Sequence, residues 1–84
     1  MISKALTLRV LTPERTAFEG KVEAVFLPGS AGAFEVLPDH APIITTLVEG
    51  NVVWREGGKE SSLAVKSGAL ILKDNVLTVC VQEG

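Results

Sequence analysis

The sequence predicts an all-β fold, a sandwich or a barrel, and three observations support this prediction. Apolar residues alternate with polar ones along most of the chain, a period of two that is typical of strands with one buried face. Turn-forming residues interrupt the apolar runs at short, regular intervals. No segment has an apolar stripe with the period of a helix, and β-branched residues are abundant. Short strands in this rhythm indicate a sandwich or barrel.

Six segments have the apolar pattern of strands, four of them alternating and two nearly continuous. The alternating segments are, in chain order, 6–10, 22–26, 52–55 and 63–65. In the second of them we expect Val22, Ala24 and Phe26 to share one strand face. The continuous runs, Ala69–Lys73 and Val76–Val81, are typical of strands buried on both faces.

Turn signals separate these segments. They occur at residues 12–14, 19–20, 28–30, 38–39, 49–51, 57–58 and 74–75. Gly57-Gly58 and Asp74-Asn75 have the chemistry of tight hairpin loops, because both pairs can supply residues with positive φ. We therefore predict tight β-hairpins at these two positions.

Length, charge and hydropathy limit the function classes. The 84 residues make one domain, 1–84. A net charge of -2, with 8 scattered Lys and Arg, argues against nucleic-acid binding. The longest uncharged run, Ala24–Phe34, contains proline and glycine and is too short to span a membrane. Thr7 and Arg9 interrupt the apolar N-terminal stretch, so a signal peptide is not expected.

The single cysteine indicates the cellular compartment, and the high apolar content indicates an exposed interaction surface. Cys80 excludes an internal disulfide and fits a reducing compartment, which indicates the cytosol. Hydrophobic residues form 46% of a chain too small to bury them all, so some should lie on the surface. Large exposed apolar patches usually mark interaction sites, which points to a part of an assembly.

The sequence gives no catalytic, cofactor-binding or metal-binding residues. One histidine, His40, and one cysteine cannot form a zinc site without carboxylate ligands, and no metal-ligand spacing is present. Asp39 should point away from His40 on extended backbone, so it cannot orient the imidazole for a triad. The 29–32 segment lacks the Lys and Ser/Thr of a P-loop and is interpreted as a turn. We expect Cys80 to be a small core residue and Trp54 a core anchor.

A longer motif carries a resemblance. Residues 29–45, GSAGAFEVLPDHAPIIT, combine a glycine-bounded loop, a short hydrophobic strand, Pro-x-His-Ala-Pro, then apolar residues and Thr. This pattern resembles the epsilon subunit of F-type ATP synthases, called delta in mitochondria. Segments 6–25 and 67–79 look like that family's opening strands and closing hairpin, so the likeness covers essentially the whole chain.

The resemblance implies a fold, a function and partners. The fold would be a sandwich of two antiparallel sheets built from about ten short strands. The chain would be a non-catalytic subunit of the central stalk, the rotor of a proton-translocating ATP synthase, coupling proton-driven rotation to ATP synthesis elsewhere in the complex. It would need no cofactor, and it would lie on the cytoplasmic face of the bacterial inner membrane, attached only through the complex.

Two sets of contact residues are implied by the same resemblance. The set expected to contact the gamma subunit is Thr12, His40, Ala41, Pro42 and Thr45. The set expected to contact the membrane-embedded c-ring is Ser30, Ala31, Gly32, Ala33 and Glu35. Loops of the ring in that family commonly carry an arginine.

The chain departs from the family pattern at three places. Glu35 and Asp39 stand where the family usually or often has glycine, and Ala33 stands where it often has an acid. We expect Glu35 to supply the ring-facing charge that Ala33 lacks, since residues two apart on a strand share a face. The family's C-terminal helical hairpin, with its ATP-sensing and inhibitory roles, is expected to be absent. The sequence leaves open whether this is a natural short form.

Two alternatives remain open at the sequence level. A free-standing β-sandwich that binds a soluble ligand such as a sugar usually presents aromatic residues in a groove, and this chain has 1 Trp, 3 Phe and no Tyr. A small hydrolase using His40 would need a triad that the sequence does not supply.

Overall fold

The alternating segments form strands. The structure is a computed structural model that describes residues 5–84, which contain eight β-strands and no helix. The strands are β1 (Leu6–Leu11), β2 (Thr16–Val22), β3 (Ala24–Leu27), β4 (Phe34–Val36), β5 (Ile43–Leu47), β6 (Gly50–Glu56), β7 (Lys59–Lys73) and β8 (Val76–Glu83). The domain predicted over 1–84 and the prediction for the N-terminal stretch both include residues 1–4, which lie outside the described residues. Over the described range, no helix is long and apolar enough to cross a membrane.

One strand, β7, belongs to both layers of a sandwich. Its first half pairs with β6, whereas its second half lies between β5 and β8. The register between β7 and β8 shifts between Val65 and Ser67, so that Lys66 is the extra residue of a β-bulge. A straight strand of 15 residues would be about 50 Å long, and the longest dimension of the molecule is 39 Å. β7 must therefore bend, and bulges bend strands.

The bend divides the pairing into two layers. The β8 layer has the order β2-β1-β8-β7-β5, and the β6 layer has the order β7-β6-β3-β4. All pairs are antiparallel except β1 and β8, which run parallel. The predicted all-β sandwich is confirmed, with this one parallel pair. There are eight strands rather than about ten partly because the segments predicted separately at 63–65 and 69–73 are a single strand.

The core lies between the two layers and takes alternate residues from each. The side chains that are completely or almost completely buried include Leu6, Leu8, Val10, Val25, Val52, Leu72, Leu77 and Val79. Trp54 of β6 is 5% exposed, which confirms it as a core anchor. Its ring lies 4.9 Å from that of Phe18 on β2, a strand with which β6 does not pair. This aromatic contact therefore joins the layers.

The two predicted hairpins are confirmed. Glu56 pairs with Lys59 across Gly57-Gly58, and Lys73 pairs with Val76 across Asp74-Asn75. All four loop residues have positive φ, between 50° and 77°. Two consecutive residues of this kind define the type I′ turn, whose twist matches that of the flanking strands.

The shared face predicted for Val22, Ala24 and Phe26 is wrong. The chain bends at Glu23, where it passes from the β8 layer to the β6 layer, and the Glu23 backbone N–H donates to the carbonyl of Arg55. After the bend, the inward positions of the strand change from even-numbered to odd-numbered residues, so that Val25 and Leu27 are buried. Phe26 instead lies on the outer side, with the Arg55 guanidinium 5.8 Å from its ring centroid.

Candidate interaction surface

The outer side of the β8 layer carries an exposed apolar surface. Ile44, Ile71 and Thr78 follow one another across β5, β7 and β8 in one row of the sheet. Ala69, Cys80 and Leu11 form the next row across β7, β8 and β1. We call these six residues the apolar face. Ile44 is 80% exposed and Ile71 is 46% exposed, and adjacent exposed apolar side chains are a common feature of interaction sites.

Polar groups border the apolar face. Next to Thr78 in the same row, Arg9 forms an ion pair with Glu19 at 3.4 Å. On the β5 side, the hydroxyls of Thr46 and Ser30 are hydrogen-bonded at 2.6 Å. An apolar centre with a polar rim is the usual anatomy of a protein–protein interface.

The outer side of the β6 layer is different. Its exposed residues include the ion pair of Arg55 and Glu60, at 3.7 Å, and the carboxylate of Glu35. Its one outward aromatic ring, that of Phe26, lies beneath the Arg55 guanidinium. The two outer sides of the sandwich therefore differ in chemistry, and only the β8 layer offers a broad apolar surface among the described residues.

The predictions of two-sided burial for the runs 69–73 and 76–81 are wrong. Their inward residues, such as Leu70 and Val79, are buried, but Ile71 and Val76 are exposed. Cys80, predicted as a core residue, is also exposed. No described element covers the outer side of the β8 layer, so strands that are apolar on both faces have one face open to solvent.

The structure does not bring the five residues of the predicted gamma set together. Thr12 lies in the turn between β1 and β2, where its hydroxyl accepts hydrogen bonds from the backbone of Glu14 and Arg15. It lines a shallow pocket with Cys80, next to the apolar face. Thr45 lies on the inner side of β5, since its strand neighbour Ile44 is the outward residue. This places Thr45 in a cleft that it shares with Ala31 and Gly32.

The other three members, His40, Ala41 and Pro42, form an exposed corner before β5. The backbone N–H of His40 donates to the carbonyl of Leu37 at 3.2 Å, which closes a turn around Pro38-Asp39. Asp39 has φ 67°, and a proline followed by a residue of positive φ is the pattern of a type II turn. The carbonyl of Ala41 can only accept, so Nδ1 of His40 donates to it at 2.8 Å.

The five residues of the predicted ring set do lie together. Ser30, Ala31, Gly32 and Ala33 form the loop between β3 and β4, and Glu35 is exposed on β4. The Ser30 backbone N–H donates to the Thr46 carbonyl at 3.0 Å, which ties the loop to β5. Ala33 and Glu35 both line a shallow pocket beside Phe26, and so does Phe34 between them, so the shared face of Ala33 and Glu35 stays a prediction.

The described residues contain no group of three or more His, Cys, Asp or Glu side chains placed to hold a metal ion. The carboxylate of Asp39 is hydrogen-bonded to Asn75. It therefore does not orient the imidazole of His40, which is bonded to a backbone carbonyl instead.

Sequence reasoning missed the apolar face itself. A signal for it was present: the runs at 69–73 and 76–81 and the pair Ile43-Ile44 are apolar at both odd and even positions. A strand that is apolar on both faces has either a covered outer face or an exposed interaction surface, and the pattern does not distinguish the two.

Comparison with known proteins identifies the family. The family model described as "ATP synthase, Delta/Epsilon chain, beta-sandwich domain" matches residues 5–84. The ATP synthase epsilon chain of Leptospira borgpetersenii serovar Hardjo-bovis is 34% identical over 84 residues, which are 100% of this chain and 66% of that one. The chloroplastic epsilon chain of Huperzia lucidula is 37% identical over 78 residues, 93% of this chain and 56% of that one. The chain thus spans about two thirds of the length of the curated relatives or less.

Solved structures agree in fold. A chain in the cryo-EM structure of the Euglena gracilis mitochondrial ATP synthase, OSCP/F1/c-ring, superposes with a TM-score of 0.89 at 21% identity, covering 99% of this chain and 54% of that chain. A chain in the Tetrahymena thermophila mitochondrial ATP synthase central stalk/c-ring gives 0.79 at 13% identity, covering 99% and 67%. With the fold, the motif at residues 29–45 and the family model in agreement, this chain belongs to the β-sandwich domain family of ATP synthase delta and epsilon chains.

Proposed function

We propose that this chain is a non-catalytic central-stalk subunit of a proton-translocating ATP synthase, which binds the gamma subunit and the c-ring and couples ring rotation to ATP synthesis. It would lie on the cytoplasmic face of the bacterial inner membrane, held there by the complex. Family membership supports the assignment. The single structural observation that supports it best is the exposed apolar face, because a domain of a stable assembly needs such a surface.

We assign the apolar face to gamma. A stable protein contact covers about 800 Å² on each partner and has an apolar centre. The apolar face, with Ile44 at its most exposed point, would form the apolar centre of such a contact, and the residues around it would supply the rest. Thr12 and the corner 40–42 would contact gamma from the margins. Gamma would reach Thr45 only through the cleft beside β5, so Thr45 would contribute little of the buried contact area.

We assign the loop 30–33 and Glu35 to the c-ring. The loop is fixed to β5 through Ser30, so it can meet a partner without a large loss of conformational freedom. The exposed Glu35 carboxylate lines the same shallow pocket as Ala33, and it would pair there with an arginine of the ring loops. The two assigned surfaces adjoin at β5, since Ser30 is bonded to Thr46.

The assignment to gamma is tested by calorimetric titration of the purified chain with gamma. Replacing Ile44 by Thr keeps the β-branched shape and removes apolar surface from the face, and it should weaken binding by about 1–2 kcal/mol. Val53→Thr is the matched control, because Val53 is a partly exposed valine on the outer side of the β6 layer, where it pairs with Phe26, away from the apolar face. Equal effects of the two substitutions, or none, would remove the apolar face from the contact. A wild-type chain that does not bind gamma would overturn the proposed function.

A further inference from the structure

Two residues with left-handed backbone, each in a different loop, are joined by two hydrogen bonds, and each residue donates one of them. Asp39, with φ 67°, precedes His40 in the loop between β4 and β5, and Asn75, with φ 62°, lies in the turn between β7 and β8. The backbone N–H of Asp39 donates to Oδ1 of Asn75 at 2.6 Å. In return, Nδ2 of Asn75 donates to Oδ1 of Asp39 at 2.8 Å. One amide side chain thus bonds both the main chain and the carboxylate of Asp39.

Asn75 is itself held firmly. It belongs to a two-residue hairpin closed by the pairing of Lys73 with Val76. Its carbonyl also accepts a hydrogen bond at 2.8 Å from the backbone N–H of Thr7, on β1. The residue whose amide contacts Asp39 is therefore fixed to three strands of the β8 layer, so it is a rigid support for the loop between β4 and β5.

The loop needs such a support at Asp39. A residue other than glycine in the left-handed region is disfavoured, and Asp and Asn tolerate it best because their side chains form local hydrogen bonds. Asp39 directly precedes His40, so its backbone sets the direction of the exposed corner 40–42. Releasing Asp39 would allow its φ to return to the extended region and would turn the corner away.

We propose that Asn75 is a positioning residue for the partner contact at His40–Pro42: through Asp39 it holds this corner in the conformation that gamma binds. This inference rests on the proposed function. Asn75 is expected to touch gamma little or not at all, and to raise affinity by keeping the corner ordered before binding.

The turn itself offers a matched pair of variants. Asn75→Gly keeps a residue that adopts positive φ and removes the amide, whereas Asp74→Gly makes the same kind of change at the other left-handed residue, which takes no part in the pair. Two quantities are measured: hydrogen exchange of the residue-39 amide in the free chain, and affinity for gamma by titration. Circular dichroism and urea unfolding establish that each variant folds.

Asn75→Gly should speed exchange of the residue-39 amide about five- to tenfold, the effect of losing one hydrogen bond. It should weaken gamma binding about two- to tenfold, the effect of ordering a freed corner on binding. Asp74→Gly should change neither. If Asn75→Gly does not fold, Asn75→Asp keeps the acceptor for the Asp39 N–H, loses the donor and places two carboxylates together, and it should weaken binding in the same direction.

The outcomes separate this inference from the proposed function. A wild-type chain that binds no gamma overturns the proposed function, and this inference with it. Wild-type binding that Asn75→Gly leaves unchanged overturns this inference alone. Equal weakening by Asp74→Gly and Asn75→Gly would also overturn it, because the effect would then belong to the hairpin and not to the hydrogen-bonded pair.

Discussion

Gly68 pairs with Val81 of β8, two residues after the bulge residue Lys66. A Cβ built on this residue would lie 2.6 Å from the carbonyl oxygen of Cys80 and 2.8 Å from a methyl carbon of Val81. The first of these atoms belongs to the backbone of the paired strand, which cannot move without disturbing the sheet. Glycine is therefore required at this position by the absence of space for a side chain.

Replacing Gly68 by Ala should lower the free energy of unfolding by about 1–3 kcal/mol, the usual effect of forcing a methyl group into a packed site. Gly20→Ala is the control, because the atoms nearest to its Cβ belong to the side chain of Phe18, at 3.2 Å and beyond, and not to a paired backbone. Urea unfolding followed by fluorescence of the single, buried Trp54 measures both changes. A smaller loss at Gly68 than at Gly20 would contradict the explanation.

At the scale of elements, a substitution in the hairpin between β6 and β7 should raise the stability of the protein. Gly57 and Gly58 both have positive φ, and Gly58 also donates its N–H to Glu23 at 2.9 Å. Gly57→Asn should stabilise the protein by roughly 0.4–1 kcal/mol, because Asn tolerates the left-handed region and restricts the unfolded chain. Gly57→Val should destabilise it by about 1–2 kcal/mol. Thermal unfolding with a midpoint that falls for Gly57→Asn would show that the loop is not a type I′ turn in solution.

The elements that sequence reasoning predicted well are those fixed by neighbouring residues. Gly57-Gly58 and Asp74-Asn75 specify their turns by their own φ preferences, so these hairpins were predictable. The bend at Glu23 was not, because no turn-forming residue marks it and its cause is the passage between layers. The parallel pairing of β1 with β8 joins opposite parts of the chain, and nothing local to either strand encodes it.

On the scale of the whole molecule, the fold brings one of the two predicted contact sets together and separates the other. The loop at 30–33 and Glu35 lie together as the motif implied, since they are close in sequence. Thr45 is predicted to contact gamma, and this stays a prediction; on β5 Thr45 faces inward and its neighbour Ile44 faces outward, because side chains alternate between the two faces of a strand. The apolar face was missed because it combines β1, β5, β7 and β8, which only the fold brings together.

The two proposed surfaces can be tested separately in a reconstituted complex. If the proposed c-ring contact holds, Glu35→Lys should lower the coupling of proton pumping to ATP turnover, because it would place a like charge against the arginine expected in the ring loops. It should leave gamma affinity and the β-rich circular dichroism spectrum unchanged, since Glu35 is exposed and lies on β4, away from the apolar face. The measurement belongs at low ionic strength, where screening is weakest.

Glu56→Lys is the matched control for this charge reversal. Glu56 is exposed next to the β6–β7 turn, at the end of β6 remote from the loop 30–33. An exposed ion pair contributes only about 0–1 kcal/mol, so reversal is a sharper probe than removal. Coupling that is normal with Glu35→Lys would mean that Glu35 is merely a solvated strand residue.

The continuity of β7 has a mechanical consequence. In most sandwiches the two layers meet through side-chain packing, which resists compression better than sliding. Here one polypeptide strand of 15 residues is hydrogen-bonded into both layers, and Ser30 of the β6 layer's loop is bonded to β5 of the other layer. A shear force applied at the apolar face would therefore pass along peptide bonds and hydrogen-bond ladders to the loop 30–33. We therefore expect the two layers to resist sliding past each other, because one strand and its hydrogen bonds link them.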